Sequence, residues 1–267
     1  RSIRSLRIYF LAWDTPFDCT IVHAGGADDA IEAVRDGGYK DLSENYNYMY
    51  RGGYGVRRWN NLFTTAQYLQ QFSDDHGYDS SNINGFSRMT PAESKKSMID
   101  NRIVKRLNLT ESTTENTSEL KPAVGDINVY FGGWDSYNVS YKYNAETNTY
   151  ARWYGNGNPH DVYQCPTEDT GESNPEDICS LTQMSPAVVA VMIVEEHLAE
   201  DNYHESIAVT GSGEAYVFQN GVATHGSWTK GDWNEQIKFF DESGVEIKLA
   251  PGQTFVEAVP DYGSVEY

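Results

Sequence analysis

Arg4, Ser5 and Arg7 stand together at the head of one apolar stretch, and His23, Gly25 and Gly26 close the next short apolar run. Guanidinium groups, an imidazole, a hydroxyl and unhindered backbone N–H groups are what hold a phosphate or carboxylate. If Arg4 and Ser5 open a helix while His23 to Gly26 end a parallel strand and feed a second helix, all six residues face one sheet edge. They would then line a crevice suited to an anion. The plainer alternative pairs both arginines with surface carboxylates and satisfies His23 with backbone.

A second group is Arg152, His160 and Asp161, with Asn156 and Asn158 nearby. His beside Asp is the composition of a general base or half a metal site. Adjacent residues on an extended chain point to opposite faces, so a simple Gly/Asn/Pro turn explains the segment equally well. Gly211-Ser212-Gly213 lacks the G-x-S-x-G strand-to-helix pattern of a nucleophile elbow and fits a tight turn or bulge. Acidic pairs such as Asp28-Asp29 and Glu195-Glu196 are too common here to nominate as glycosidase carboxylates. The N-x-S/T sequons at Asn108, Asn116 and Asn138 decide nothing, and there is no Walker loop, dinucleotide fingerprint or EF-hand. No metal ion and no cofactor are expected.

The elements that must position these groups fall into two patterns. From Ser5 to Phe17 apolar residues recur on a helical period, ended by Thr15-Pro16. Cys19 to Ala24 fits a strand, Asp28 to Val34 a helix closed by Gly37-Gly38, and Leu62 to Tyr78 holds a helix capped by Thr64 or Thr65. Residues 44–60 are aromatic, Gly-rich and aperiodic, which predicts a surface loop. Residues 108–122 are polar and end in Pro, the best linker in the chain. Beyond it the period becomes two: Ile127 to Phe131, then hairpins Val139–Tyr143 with Tyr150–Tyr154, Glu214–Phe218 with Val222–Trp228 across Asn220-Gly221, and Ile237–Phe240 with Val245–Leu249. Ala187 to Val194 is continuously apolar, as a central strand is, and Thr254 to Val259 supplies a last strand. The expected fold is α+β: a helix-covered mixed sheet over residues 1–115, then an antiparallel β domain over 116–267.

The chain has 267 residues and a formal net charge of −19, from 20 basic and 39 acidic side chains. That surface repels phosphate backbones, so nucleic-acid binding is not expected. It is also repelled by anionic headgroups, and no stretch approaches the roughly 20 apolar residues of a membrane span. Of the three cysteines, Cys19 opens an apolar run and is expected to be buried and free. Cys165 and Cys179 bracket a polar loop that a disulfide would close, as suits an oxidising, extracytoplasmic compartment.

Arg4-Ser5-Leu6-Arg7, Tyr9-Phe10 and His23-Ala24-Gly25-Gly26 resemble the signature of the YerB-like lipoproteins of Gram-positive bacteria. Trp59-Asn60-Asn61-Leu62-Phe63-Thr64 is similar to a second family segment, with Asn60 where the family usually has His, and it adds Asn61 to the candidate ligand-binding residues. Tyr141-Lys142-Tyr143, Tyr150-Ala151-Arg152 and Asn158-Pro159-His160-Asp161 fit the start of the family's second domain. Gly211 to Ala215, Gly226 to Lys230 and Pro251 to Thr254 fit its end. The resemblance implies two domains of unknown function on a protein lipid-anchored at the extracellular face of the membrane. It supplies no activity. The expected role is that of a binding or accessory module for an anionic envelope ligand or a partner. The alternatives are a hydrolase or transferase acting on envelope glycan or peptide, and an interaction protein with no small-molecule site. Relative to the family the chain begins inside the first domain, so a retained N-terminal fragment or a neighbouring molecule is expected to fill the sheet edge beside Cys19 to Ala24.

Overall fold

The computed structural model describes residues 3–52, 61–78, 80–106, 124–164, 180–199 and 205–267. The chain divides into two compact units. One comprises Arg1–Gly85, Ala208–Gly211 and Lys230–Ile237; the other comprises Phe86–Ile207, Ser212–Thr229 and Lys238–Tyr267. The sequence pattern places the boundary near residue 115, whereas Pro91 to Arg106 fall in the second unit.

In the first unit helix α1 (Ile8–Asp14) begins later than the apolar pattern suggests, because Arg7 is extended. The residues before it are held in backbone pairing instead. Ala24 N donates to Arg4 O, Leu6 N to Gly25 O and Ala27 N to Leu6 O, each at 3.0 Å, while Ile3 N donates to Leu62 O at 2.8 Å. Beyond a turn at Thr15–Phe17 come β1 (Ile21–His23), α2 (Asp28–Asp36) and β2 (Asp41–Ser43), with β1 and β2 parallel. This βαβ unit turns Leu6, Leu11, Ile21, Ala30 and Val34 into one core, on which Ile8, Tyr39 and Trp233 pack. The expected mixed sheet is thus a two-stranded parallel pair, and the edge of its continuation at Ala24–Ala27 is taken by the chain's own Arg4–Leu6. The pair β3 (Tyr50–Arg51) and β4 (Leu62–Phe63) is antiparallel, so two residues within the segment expected to be a loop pair with two just beyond it. Helix α3 (Ala66–His76) is capped by Thr65 Oγ1, which accepts from Tyr68 N, and it stops at Gly77 with φ 68°.

The second unit opens with α4 (Pro91–Arg106). Its start is a reciprocal capping box. Glu93 N donates to Thr90 Oγ1 at 3.2 Å, Thr90 N donates to Glu93 Oε2 at 2.6 Å, and Pro91 occupies the first helical position. Thr90→Ala is expected to cost about 1 kcal/mol, seen as a lower urea midpoint at unchanged slope.

The strands follow as β5 (Asp126–Tyr130), β6 (Val139–Asn144), β7 (Thr149–Tyr154), β8 (Asp161–Gln164), β9 (Ser180–Gln183), β10 (Val188–Val194), β11 (Glu196–Leu198), β12 (Glu205–Ile207), β13 (Gly211–Gln219), β14 (Val222–Lys230), β15 (Lys238–Asp241), β16 (Thr254–Pro260) and β17 (Ser264–Glu266). Sheets of order β17-β5-β6-β7 and β15-β14-β13-β10-β16 face each other. Ile127, Val129, Val139, Tyr141 and Tyr150 of the first sheet meet Val189, Val191, Phe218, Ala223 and Val259 of the second. Asn220 and Gly221, at φ 54° and 78°, make the two-residue turn that joins β13 to β14.

One expectation for this half is corrected. Strands β10 and β16 run parallel over seven residue pairs, so the larger sheet is mixed rather than antiparallel. Period-two alternation says which face a residue covers, not which way the neighbouring strand runs.

Candidate functional site

His23 ends β1 and is buried at 4% exposure. Its Nε2 lies 2.8 Å from Asp41 Oδ1 on β2, and its Nδ1 lies 2.8 Å from the carbonyl oxygen of Gly25. Both partners only accept hydrogen bonds, so the ring satisfies both by carrying a proton on each nitrogen. Burial alone would pull the imidazole pKa down, but the bonds to Asp41 and Gly25, with the charges of Asp41 and Glu44, raise it above its ordinary value. Gly25 supplies the turn with φ 62°, and a side chain on Gly26 would collide with Ile31 and Leu6. A ring engaged at both nitrogens is a strut, and its two acceptors favour the protonated form. It is not poised as a general base.

A cleft of about 710 Å³ opens over this strut, between α2 and the end of β2. His23, Gly25 and Gly26 line it, and Arg35 contributes a guanidinium. Five carboxylates dominate its wall: Asp28, Glu32, Asp36, Asp41 and Glu44. Asp41 holds His23, and Glu44 Oε2 is 3.2 Å from Arg51 Nη2. Asn61, half-buried, accepts from Arg51 Nη1 at 3.1 Å and so braces that arginine.

The other sequence candidates separate from this cleft. The backbone of Arg4 and Leu6 frames Ala24–Ala27, but neither Arg4, Ser5 nor Arg7 is among the lining residues. Arg4 and Ser5 are exposed, and Arg7 Nη1 donates to Leu6 O at 3.0 Å. Arg152 and His160 belong to the second unit.

There the quoted motifs do converge. Arg152 Nε donates to Tyr141 Oη at 3.0 Å and to Glu257 Oε1 at 3.1 Å, its Nη2 is 3.0 Å from the same Oε1, and its Nη1 donates to His160 Nδ1 at 2.8 Å. Tyr141 Oη donates to Glu257 Oε1 at 2.5 Å. The guanidinium also lies 4.7 Å from the ring centre of Phe255. All four polar residues are buried, and they tie β6 and β7 of one sheet to β16 of the other. Burial pushes the Glu257 carboxyl and the Tyr141 hydroxyl up, and Arg152 opposes both shifts. Because Arg152 donates to Nδ1, His160 carries its proton on Nε2. Asp161 is exposed on β8 and does not share this network. The group is an internal brace.

Sequence reasoning missed Asp41 and Glu257, the carboxylate partners of both histidine-bearing groups. Glu257 carried one cue, its position inside an otherwise apolar strand, Thr254–Pro260. Cys19 is free but exposed, against the expectation of a buried thiol; the apolar run becomes a strand only at Ile21. Cys165 and Cys179 lie outside the described residues. Among the described residues, no three or more His, Cys, Asp or Glu side chains are arranged to hold a metal ion.

Residues 1–79 match the N-terminal domain, and residues 127–256 the C-terminal domain, of a protein family of unknown function, DUF3048. The fold is that of the crystal structure of YerB protein from Bacillus subtilis. The TM-score is 0.69 at 16% identity, over 99% of this chain and 76% of that one. No curated protein is significantly similar to the chain.

Proposed function

Because the chain belongs to this YerB-like, two-domain family of unknown function, we propose that it acts as a binding or accessory module, as the ectodomain of a lipoprotein at the extracellular face of the bacterial membrane. The observation that supports this reading is the cleft over His23. It is open, it is floored by a rigid ion pair, and its wall carries charge without an activated nucleophile beside a free base among the described residues.

The polarity of that wall shapes the ligand. Among the described residues, an anion alone would face four exposed carboxylates, Asp28, Glu32, Asp36 and Glu44, with Arg35 the one exposed cation lining the cleft and His23 buried. A peptide with an amine for the carboxylates and a carboxylate for Arg35 matches the whole surface. We therefore favour a partner peptide over the purely anionic ligand that the Arg4, Arg7 and His23 pattern suggests by itself.

Calorimetric titration with the tripeptide Ala-Lys-Ala, and separately with inorganic phosphate, tests the choice. The peptide is expected to bind, and Glu32→Gln with Asp36→Asn to weaken it about tenfold, the effect of losing roughly 1.4 kcal/mol. Phosphate binding that survives both substitutions would restore the anionic reading. Cleavage or transfer of the peptide during the same incubation would favour the hydrolase or transferase.

A further inference from the structure

The loop between β5 and β6 presents aromatic rings to solvent from a braced frame. Trp134 is 79% exposed and Tyr137 66% exposed. The frame is rigid for local reasons. Asn138 Oδ1 accepts from Phe131 N at 3.1 Å, Tyr137 N donates to Trp134 O at 2.9 Å, and Asn138 N donates to Asp135 O at 3.1 Å. Gly155 packs so closely that a Cβ there would strike the carbonyl oxygen of Asp135.

A third ring, Tyr262, is 60% exposed and lies against Gly132, where a Cβ would collide with it. Tyr262 Oη donates to Glu196 Oε1 at 3.3 Å. Glu196 on β11, Glu205 on β12 and Asp261 all act electrostatically on this tyrosine. Burial first, then Glu205 and Asp261, push the Glu196 carboxyl up: these carboxylates crowd one another. All these residues belong to the second unit.

Three large rings on a fixed frame are a surface that a monomer does not need for packing. Their π faces attract cations, and the adjoining carboxylates attract the same charge, so the two features select one kind of occupant. We propose that Trp134, Tyr137 and Tyr262, with Glu196, Glu205 and Asp261, form a docking surface for a partner protein segment bearing Lys and Arg. Guanidinium or ammonium groups lie over the rings while neighbouring basic side chains relieve the crowded carboxylates. This assignment is independent of the cleft over His23.

The test titrates the full chain with octalysine, following the indole N–H resonance of Trp134 and the affinity by calorimetry. In a chain of this charge octalysine also binds diffusely, so the variants decide. Trp134→Ala with Tyr137→Ala is expected to weaken binding about tenfold, as loss of aromatic anchors does. Glu196→Gln with Asp261→Asn should weaken it comparably, whereas Glu146→Gln, an exposed carboxylate on the turn between β6 and β7, should leave it unchanged. The altered rings are exposed, and thermal melts of the variants check that folding is intact. Equal affinity of the wild type and the aromatic double variant would overturn the proposal. So would saturable binding of a neutral hexasaccharide that Trp134→Ala removes, or concentration-dependent self-association removed by the same change, since each assigns the rings to another occupant.

Discussion

Glu257→Gln is expected to destabilise the second unit by about 3–5 kcal/mol, the cost of leaving a buried charge without its counter-ion. Oε1 of Glu257 is the common acceptor for Tyr141 Oη and two nitrogens of Arg152. A neutral amide keeps the shape but leaves the guanidinium in a low-dielectric interior beside Phe255 and His160. Arg152→Met alone should cost a similar amount by stranding Glu257. The combination of Arg152→Met with Glu257→Gln should recover most of the loss, because removing both charges removes the desolvation problem. Urea denaturation of the four proteins reads the result. Additive losses in the double variant would mean that the two residues act separately, contrary to the geometry.

Stability is also expected to fall as pH rises above about 6.5, in the direction opposite to that of a protein held by depressed carboxylates. The folded pKa of His23 lies above its ordinary value, so above pH 6.5 the native state binds more protons than the unfolded chain. Its contribution is complete below pH 6.5 and is lost as pH climbs through the raised folded value. Hydrogen bonds of a charged group to Asp41 and Gly25 are worth on the order of 2 kcal/mol. His225 adds to the same trend. Its Nδ1 is 2.7 Å from Glu242 Oε1 and its Nε2 2.8 Å from Glu214 Oε1, and these carboxylates raise it. Solvent exposure makes that share smaller. The difference between wild type and His23→Gln, measured at each pH, isolates the buried ring. A difference that stays constant across the whole range would show that His23 is held neutral.

The features legible in the sequence are those whose cause is local. Asn220-Gly221 specifies a turn because only such residues take positive φ readily there, and Thr65 specifies a cap by its own hydroxyl. Helix α4 is missing from the expected elements: its capping signal, Thr90-Pro91-Ala92-Glu93, is local, but its weak apolar stripe gives no helical period. Partner identity is not local. Nothing in Thr254–Pro260 says that β10 lies beside it in parallel, or that Glu257, one of 39 acidic residues, finds Arg152 across 105 positions. The anion crevice drawn from Arg4, Arg7 and His23 has the right backbone and the wrong side chains. The extended Arg4–Leu6 segment frames the Gly25 turn, but the cleft wall comes from α2 and β2, whose carboxylates look like ordinary surface charge in sequence.

The first unit is completed from far along the chain. Lys230–Ile237 belongs to it, Trp233 packs on its core, and the indole Nε1 of Trp233 donates to Tyr39 Oη at 2.8 Å across 194 positions. During synthesis, then, the βαβ unit emerges well before the segment that completes it, and part of its apolar surface stays bare until the 194 positions from Tyr39 to Trp233 have been made. Closing so long a loop is slow relative to local helix and hairpin formation. A chaperone would therefore meet a half-finished unit, and a gene fragment ending near residue 115 should yield insoluble product however well its own helices form.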